Sequence, residues 1–167
     1  MRITTGLLLL RNSRKTECSA NQFLAFLGVR AAPFALLATA ALVQAQETVS
    51  VWDGVYAQEQ ANGGKVMYDQ QCSLCHGADV LKVRSEGPPN LTGPAFKENW
   101  NGLTVSDLFE YIKKGMPRNN PGHLTSEQTA SIVAFILTSN GFPAGQKELP
   151  TDPTGLKAIR FDAAKPK

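Results

Sequence analysis

Cys72 and Cys75 stand three positions apart with His76 directly after them, in the run Cys72-Ser73-Leu74-Cys75-His76. On a helical turn this spacing puts both thiols on one side and delivers the imidazole beside them. Each thiol can then form a thioether with a vinyl group of one porphyrin while the imidazole ligates its iron. C-x-x-C-H is the attachment signature of a c-type haem, so the pentapeptide supplies both covalent anchor and axial ligand.

Two rival chemistries use the same residue types. A structural zinc site takes four protein ligands, usually from a second C-x-x-C or a pair of spaced histidines. Once Cys18 is set aside with the N-terminal leader described below, only His123 is left to offer. A thioredoxin-like redox pair wants apolar, β-branched strands around it. Here Gln70 and Gln71 precede the motif and Gly77-Ala78-Asp79 follows it.

The compartment is read from the leader. Phe34 to Val43 is an apolar run and Val43-Gln44-Ala45 follows it as a cleavage site, so residues 1–45 read as a signal or presequence removed after Ala45. The run is short for a permanent membrane span, and the expected location is the periplasm, which suits haem c attachment outside the cytoplasm. Met1 to Arg30 is long for an ordinary signal, with a separate apolar patch at Leu7 to Leu10 and basic residues at Arg11, Arg14 and Lys15. Translation beginning at Val29 would leave Arg30 as the basic region of the signal; a precursor peptide covering Cys18 would rule that start out.

Removing the leader changes the charge balance. It holds five of the 17 basic residues and one of the 14 acidic ones, leaving 12 basic against 13 acidic, a net −1. That balance does not indicate a nucleic-acid partner. With Cys72 and Cys75 given to haem, no cysteine remains for a disulfide. About 122 residues are left, enough for one compact domain.

Periodicity and punctuation outline the elements that position the motif. Residues 46–57 form an N-terminal lead. Gln58 to Gln71 reads as a helix running into the motif, with Ala61, Gly64, Val66, Met67 and Tyr68 as its apolar or close-approach face. Gly63 and Gly64 each weaken an isolated helix by roughly 1 kcal/mol relative to Ala, so a glycine here implies room for another helix. Gly87 to Phe96 is dense in Pro and Gly and reads as a loop over something apolar. Thr104 with Asp107 forms a capping box for a helix that carries Leu108, Phe109 and Ile112 inward and stops at Gly115. Thr125 with Gln128 caps the next helix, the most apolar of the domain, which ends at Asn140-Gly141. Residues 142–167 read as an extended C-terminal tail pinned to the surface by Leu149, Leu156, Ile159 and Phe161. Neither a strand pattern nor an internal repeat is visible.

Helix into C-x-x-C-H, proline-rich loop, helix, Met116-Pro117 and a final apolar helix: in this order residues 58–141 resemble the class I mono-haem c-type cytochromes. The resemblance implies an all-α, small cytochrome c fold, helices wrapped round one covalently bound haem c. It implies a close crossing of the first and last helices, with Gly64 and Tyr68 on one side and Phe135 on the other. It makes Met116 the second axial ligand and sets the Pro89 carbonyl against the His76 imidazole, with the neighbouring Pro88 as an alternative. It also places Leu91 against the haem and Trp100 near a propionate, where a packing role for the indole fits equally well. Among other residues weighed as ligands, Met67 reads as helix packing, Lys113 and Lys114 as solvated helix-end charges, and His123 as exposed or capping. Val51-Trp52-Asp53-Gly54-Val55-Tyr56 and the segment Pro143 to Pro150 are similar to mono-haem cytochromes that accompany quinoprotein (PQQ-dependent) dehydrogenases.

Histidine and methionine together fill both axial positions, which implies an electron carrier and not an enzyme. The expected partners are redox proteins, a dehydrogenase donor and an oxidase or another cytochrome as acceptor, met through a small interface beside Ser73 and Leu74. Lys82 with Arg84, or Lys113 with Lys114, could form a charged patch there. Alternative readings are a haem enzyme or gas or redox sensor with a labile sixth ligand, and a fixed cytochrome subunit of a quinoprotein dehydrogenase.

Overall fold

The computed structural model describes residues 48–82 and 85–167. The leader, Cys18, the cleavage site and Arg84 lie outside the described residues. The chain divides into two units, 1–42 and 43–167, and the second is the one described here.

The most extensive helix contact is between α1 (Gln58–Gln71) and α5 (Ser126–Ser139). α5 buries Ala130, Ile132, Val133, Ala134, Ile136 and Leu137 and so forms the middle of the core. It meets α1 at Gly64, where an added Cβ would collide with the Ser131 carbonyl, whereas Gly63 faces open space. One turn on, Tyr68 is fully buried and its ring centroid lies 5.2 Å from that of Phe135. Ala61 and Met67 of the α1 face also turn inward, but one residue differs from its sequence reading. Val66 is 51% exposed, and Gln60 is buried instead. Gln60 donates to the Leu149 carbonyl at 3.1 Å and accepts from the Leu149 amide at 2.7 Å, an amide pairing that satisfies a buried polar side chain.

After α1 comes a single turn, α2 (Ser73–His76), then α3 (Pro94–Trp100) and α4 (Val105–Gly115). The α4 box forms as its sequence signals: the Thr104 amide donates to Asp107 at 2.8 Å and the Thr104 hydroxyl at 2.7 Å. These bonds hold the Asp107 carboxyl below its ordinary range. The α5 box forms likewise, the Thr125 hydroxyl accepting from the Gln128 amide at 3.2 Å. α3 begins inside the stretch that reads in sequence as the Gly87 to Phe96 loop. Pro94 instead opens it at the first helical position, where a missing N–H costs nothing, so the proline starts a helix that its Gly- and Pro-rich approach concealed.

The C-terminal segment also differs from its reading as a surface tail. Leu149, Leu156, Ile159 and Phe161 are all buried in the one core. The segment folds into α6 (Pro153–Lys157) and β2 (Ile159–Arg160), and β2 pairs in parallel with β1 (Val49–Ser50) of the lead. Each strand has two residues, too few for alternation to show in sequence. Trp52 and Tyr56 hold this segment: Tyr56 Oη donates to the Phe142 carbonyl at 2.7 Å and Trp52 Nε1 to the Asp162 carbonyl at 2.9 Å. Edge-on rings continue inward, Trp52 to Phe142 at 4.8 Å, Phe142 to Phe161 at 5.2 Å and Phe161 to Phe96 at 6.2 Å. Among the described residues no helix is long and apolar enough to cross a membrane.

The α1–α5 contact predicts opposite outcomes for adjacent glycines. Gly64→Ala should destabilise the protein by roughly 3 kcal/mol through overpacking against backbone, while Gly63→Ala should stabilise it by up to about 1 kcal/mol. Guanidinium unfolding midpoints of the two variants check this.

Candidate haem site

α1 ends by handing the chain to Cys72, whose amide donates to the Tyr68 carbonyl at 2.9 Å. The next turn is closed by His76 N–H donating to the Cys72 carbonyl at 2.9 Å, so the motif is a continuation of α1 by one tight turn. Tyr68 Oη donates to the Gly77 carbonyl at 2.7 Å and fixes the far end of that turn. Gly77, at φ 93, takes a positive-φ conformation open to glycine that lets the chain leave.

The turn borders a cavity of about 490 Å³, a size typical of cofactor pockets. Cys72, Cys75, His76, Pro89, Leu91, Trp100 and Met116 all line it. Leu108 and Ile112 of α4 and Ile132 and Ile136 of α5 complete an apolar wall. All seven residues singled out in the sequence therefore reach one space, although they come from four segments of chain.

His76 Nδ1 lies 3.1 Å from the Pro89 carbonyl oxygen. A carbonyl only accepts, so Nδ1 carries the proton and donates, which assigns the lone pair to Nε2 and orients the ring. Pro88 lines the cavity as well. Met116 is the C-cap of α4, its amide donating to the Ile112 carbonyl at 2.9 Å, and the Met116–Pro117 peptide is cis. Trp100 stands at the end of α3, with its ring 6.2 Å from Phe96 and 5.8 Å from Tyr111. It is thus a helix residue in an aromatic row.

Burial pushes the Cys72 thiol up to about 11, and the adjacent Cys75 sulfur adds to the rise. A dithiol built for redox exchange needs the opposite shift. No three His, Cys, Asp or Glu side chains among the described residues are placed to share a metal ion, so the zinc reading has no ligand set. The space beside the motif is instead broad, apolar and flanked by an imidazole and a thioether, donors suited to haem iron. In this site Cys72 and Cys75 would hold the porphyrin and His76 and Met116 would take its iron.

Lys113 corrects its reading as a solvated charge: it is half-buried and its Nζ donates to the Leu124 carbonyl at 2.8 Å. Lys114 is exposed and pairs with Glu110 at 2.8 Å. Met67 is partly buried against the core and Lys82 is exposed. His123 is exposed, with Nδ1 2.9 Å from the Asn120 carbonyl and Nε2 3.1 Å from Gln71 Oε1. It thus braces the loop after Met116 against the end of α1.

Sequence reasoning missed the groups that hold the cavity's cover. In the sequence Asn140 reads only as a helix stop. Its side-chain NH₂ donates to the Leu91 carbonyl and the Ile136 carbonyl, both at 2.9 Å, and its Oδ1 accepts from the Gly93 amide at 3.2 Å. Buried Thr92 donates to the Val80 carbonyl at 2.8 Å. An apolar-to-polar break at a helix end was the only signal available for Asn140, and it pointed to the cap.

Residues 59–136 match the family described as cytochrome C oxidase, cbb3-type, subunit III. The chain is also similar to the cbb3-type cytochrome c oxidase subunit CcoP of Cereibacter sphaeroides, with 27% identity over 73 residues, 44% of this chain and 25% of that protein. It therefore spans about a quarter of the length of the curated relative it matches. No solved structure matches. The matched span runs from α1 into α5 and includes the C-x-x-C-H run and Met116. The match supports a c-type cytochrome domain within residues 59–136, the helix-dominated chain has the small all-α cytochrome c fold, and such a domain implies haem c.

The cover predicts a stability effect. Asn140→Leu should cost about 2 to 3 kcal/mol, because it leaves the Gly93 amide and the Leu91 carbonyl unpaired under the loop. Denaturant unfolding of the haem-loaded protein measures the loss.

Proposed function

We propose that this chain is an exported, periplasmic electron carrier that shuttles one electron at a time through a single covalent haem c, with Cys72 and Cys75 as thioether anchors and His76 and Met116 as axial ligands. The observation that supports it most is the convergence of those four side chains, from α1–α2 and from the end of α4, on one apolar cavity of about 490 Å³.

The haem, when bound, supplies a ferric/ferrous couple. The protein's own residues set how that couple behaves. The hydrogen bond from His76 Nδ1 to the Pro89 carbonyl holds the imidazole in one tautomer and raises its basicity. Met116 offers a neutral thioether, and the walls of Leu91, Leu108, Ile112, Ile132 and Ile136 keep water away. Both features favour the less charged ferrous form, so the potential should be positive relative to bis-histidine haems. With both axial positions taken, no coordination site is left open for oxygen or peroxide, and the chain is not itself an enzyme.

Leu74, 92% exposed on the motif turn, and its neighbour Ser73 mark where a redox partner would dock through a small, short-lived contact. The charge of −1 outside the leader makes electrostatic steering modest. The matched relative is an oxidase subunit by name, which favours a second form of the same reading, a cytochrome fixed within a larger redox assembly. Association with a quinoprotein dehydrogenase rests on the lead and the C-terminal segment, both outside the matched span.

Protein from a maturation-competent host should show sharp α and β bands after dithionite and the weak far-red band of methionine ligated to ferric iron. Met116→Ala should abolish the far-red band and lower the midpoint potential, within the roughly 0.8 V that axial ligands span. A colourless preparation would refute the proposal.

A further inference from the structure

Haem brings two carboxylates into a largely apolar space, and burying them without a partner is costly. Among the described residues lining the cavity, Arg118 is the one with a permanent charge. It also lines a shallower cleft of about 400 Å³ with Glu110, Tyr111, Lys114, Gly115 and Met116. Arg118 therefore stands at the rim, where the haem cavity opens towards solvent.

The neighbouring cations are already engaged, Lys114 by Glu110 and Lys113 by the Leu124 carbonyl. Arg118 makes no hydrogen bond or ion pair among the described residues. Its guanidinium is permanently charged and forks to match a carboxylate with two parallel hydrogen bonds. Pro117, directly before it, restricts the backbone that presents it.

We propose that Arg118 is a positioning residue for the cofactor, its guanidinium pairing with a haem propionate at the cavity rim and raising the haem potential by its charge. The proposal rests on the haem reading above. It differs from a surface charge kept for partner docking, because its effect is on the isolated protein. A cation beside the haem stabilises the ferrous form, which carries one positive charge fewer on the iron. The pair, being at the rim, is partly screened by salt.

The test uses the haem-loaded full chain with Arg118→Gln, Arg118→Lys and, as a control on an exposed cation away from the cavity, Lys82→Gln. Spectroelectrochemical titration should give a lower midpoint for Arg118→Gln than for the parent, a smaller fall for Arg118→Lys and no shift for Lys82→Gln. Raising the salt concentration should narrow the gap between Arg118→Gln and the parent. Resonance Raman should show the propionate bending mode displaced in Arg118→Gln and partly restored in Arg118→Lys, with the far-red methionine band retained in both. An Arg118→Gln protein with unchanged potential and unchanged propionate mode overturns the inference, as does a shift equal to that of Lys82→Gln. Those results would leave the haem reading intact, whereas absence of haem would remove both.

Discussion

The close approach of α1 to α5 at Gly64 is the contact on which the site depends. Backbone meets backbone there, with the Ser131 carbonyl where any side chain of residue 64 would be. One turn further along α1, Tyr68 packs against Phe135 of α5 and reaches the Gly77 carbonyl beyond the motif. The face that docks α1 on α5 is therefore continuous with the bonds that shape the Cys72–His76 turn. α5 in its turn supplies Ile132 and Ile136 to the cavity wall. Separation of the two helices by even the width of a methyl group would shift the imidazole relative to the space it faces.

Polar groups inside the domain hold connections that apolar packing alone would leave slack. Asn140 ties the segment bearing Leu91 and Gly93 to the end of α5, and Pro89 on the same loop orients His76. Gln60 pairs with the backbone of Leu149 and secures the C-terminal segment to α1. Each buried donor and acceptor in these links has a partner, so their hydrogen bonds offset the cost of taking them out of water. The C-terminal segment matters to the site as well, since Phe161 touches Phe96, which lines the cavity.

This construction suits a one-electron carrier. The groups proposed to face the iron come from the end of one helix and the cap of another, with the surrounding loop tied by hydrogen bonds. A cofactor held between such elements changes charge with little movement of its surroundings. The rim around Arg118 and the exposed Leu74 are where the interior meets solvent and partners.

The motif, the bounds of α1, α4 and α5, their capping boxes and the glycine at the helix crossing were legible in the amino-acid order. Each is set by residues within a few positions of one another, through cap bonds, the helical period or a single small side chain. Seven residues that line the cavity could be named as candidates too, through the motif and the resemblance its surroundings carry. Tertiary structure decided what depends on distant partners. The strands exist because two-residue segments from opposite ends of the domain meet, and Phe161 is buried where Phe96 and Phe142 pack against it. Asn140 acquires its partners Leu91 and Gly93, and Arg118 the cavity beside it, only when chain far away in sequence comes alongside. Local hydrogen bonds and periodicity write themselves into neighbouring residues, whereas a contact across the fold leaves no mark on the spacing of either partner.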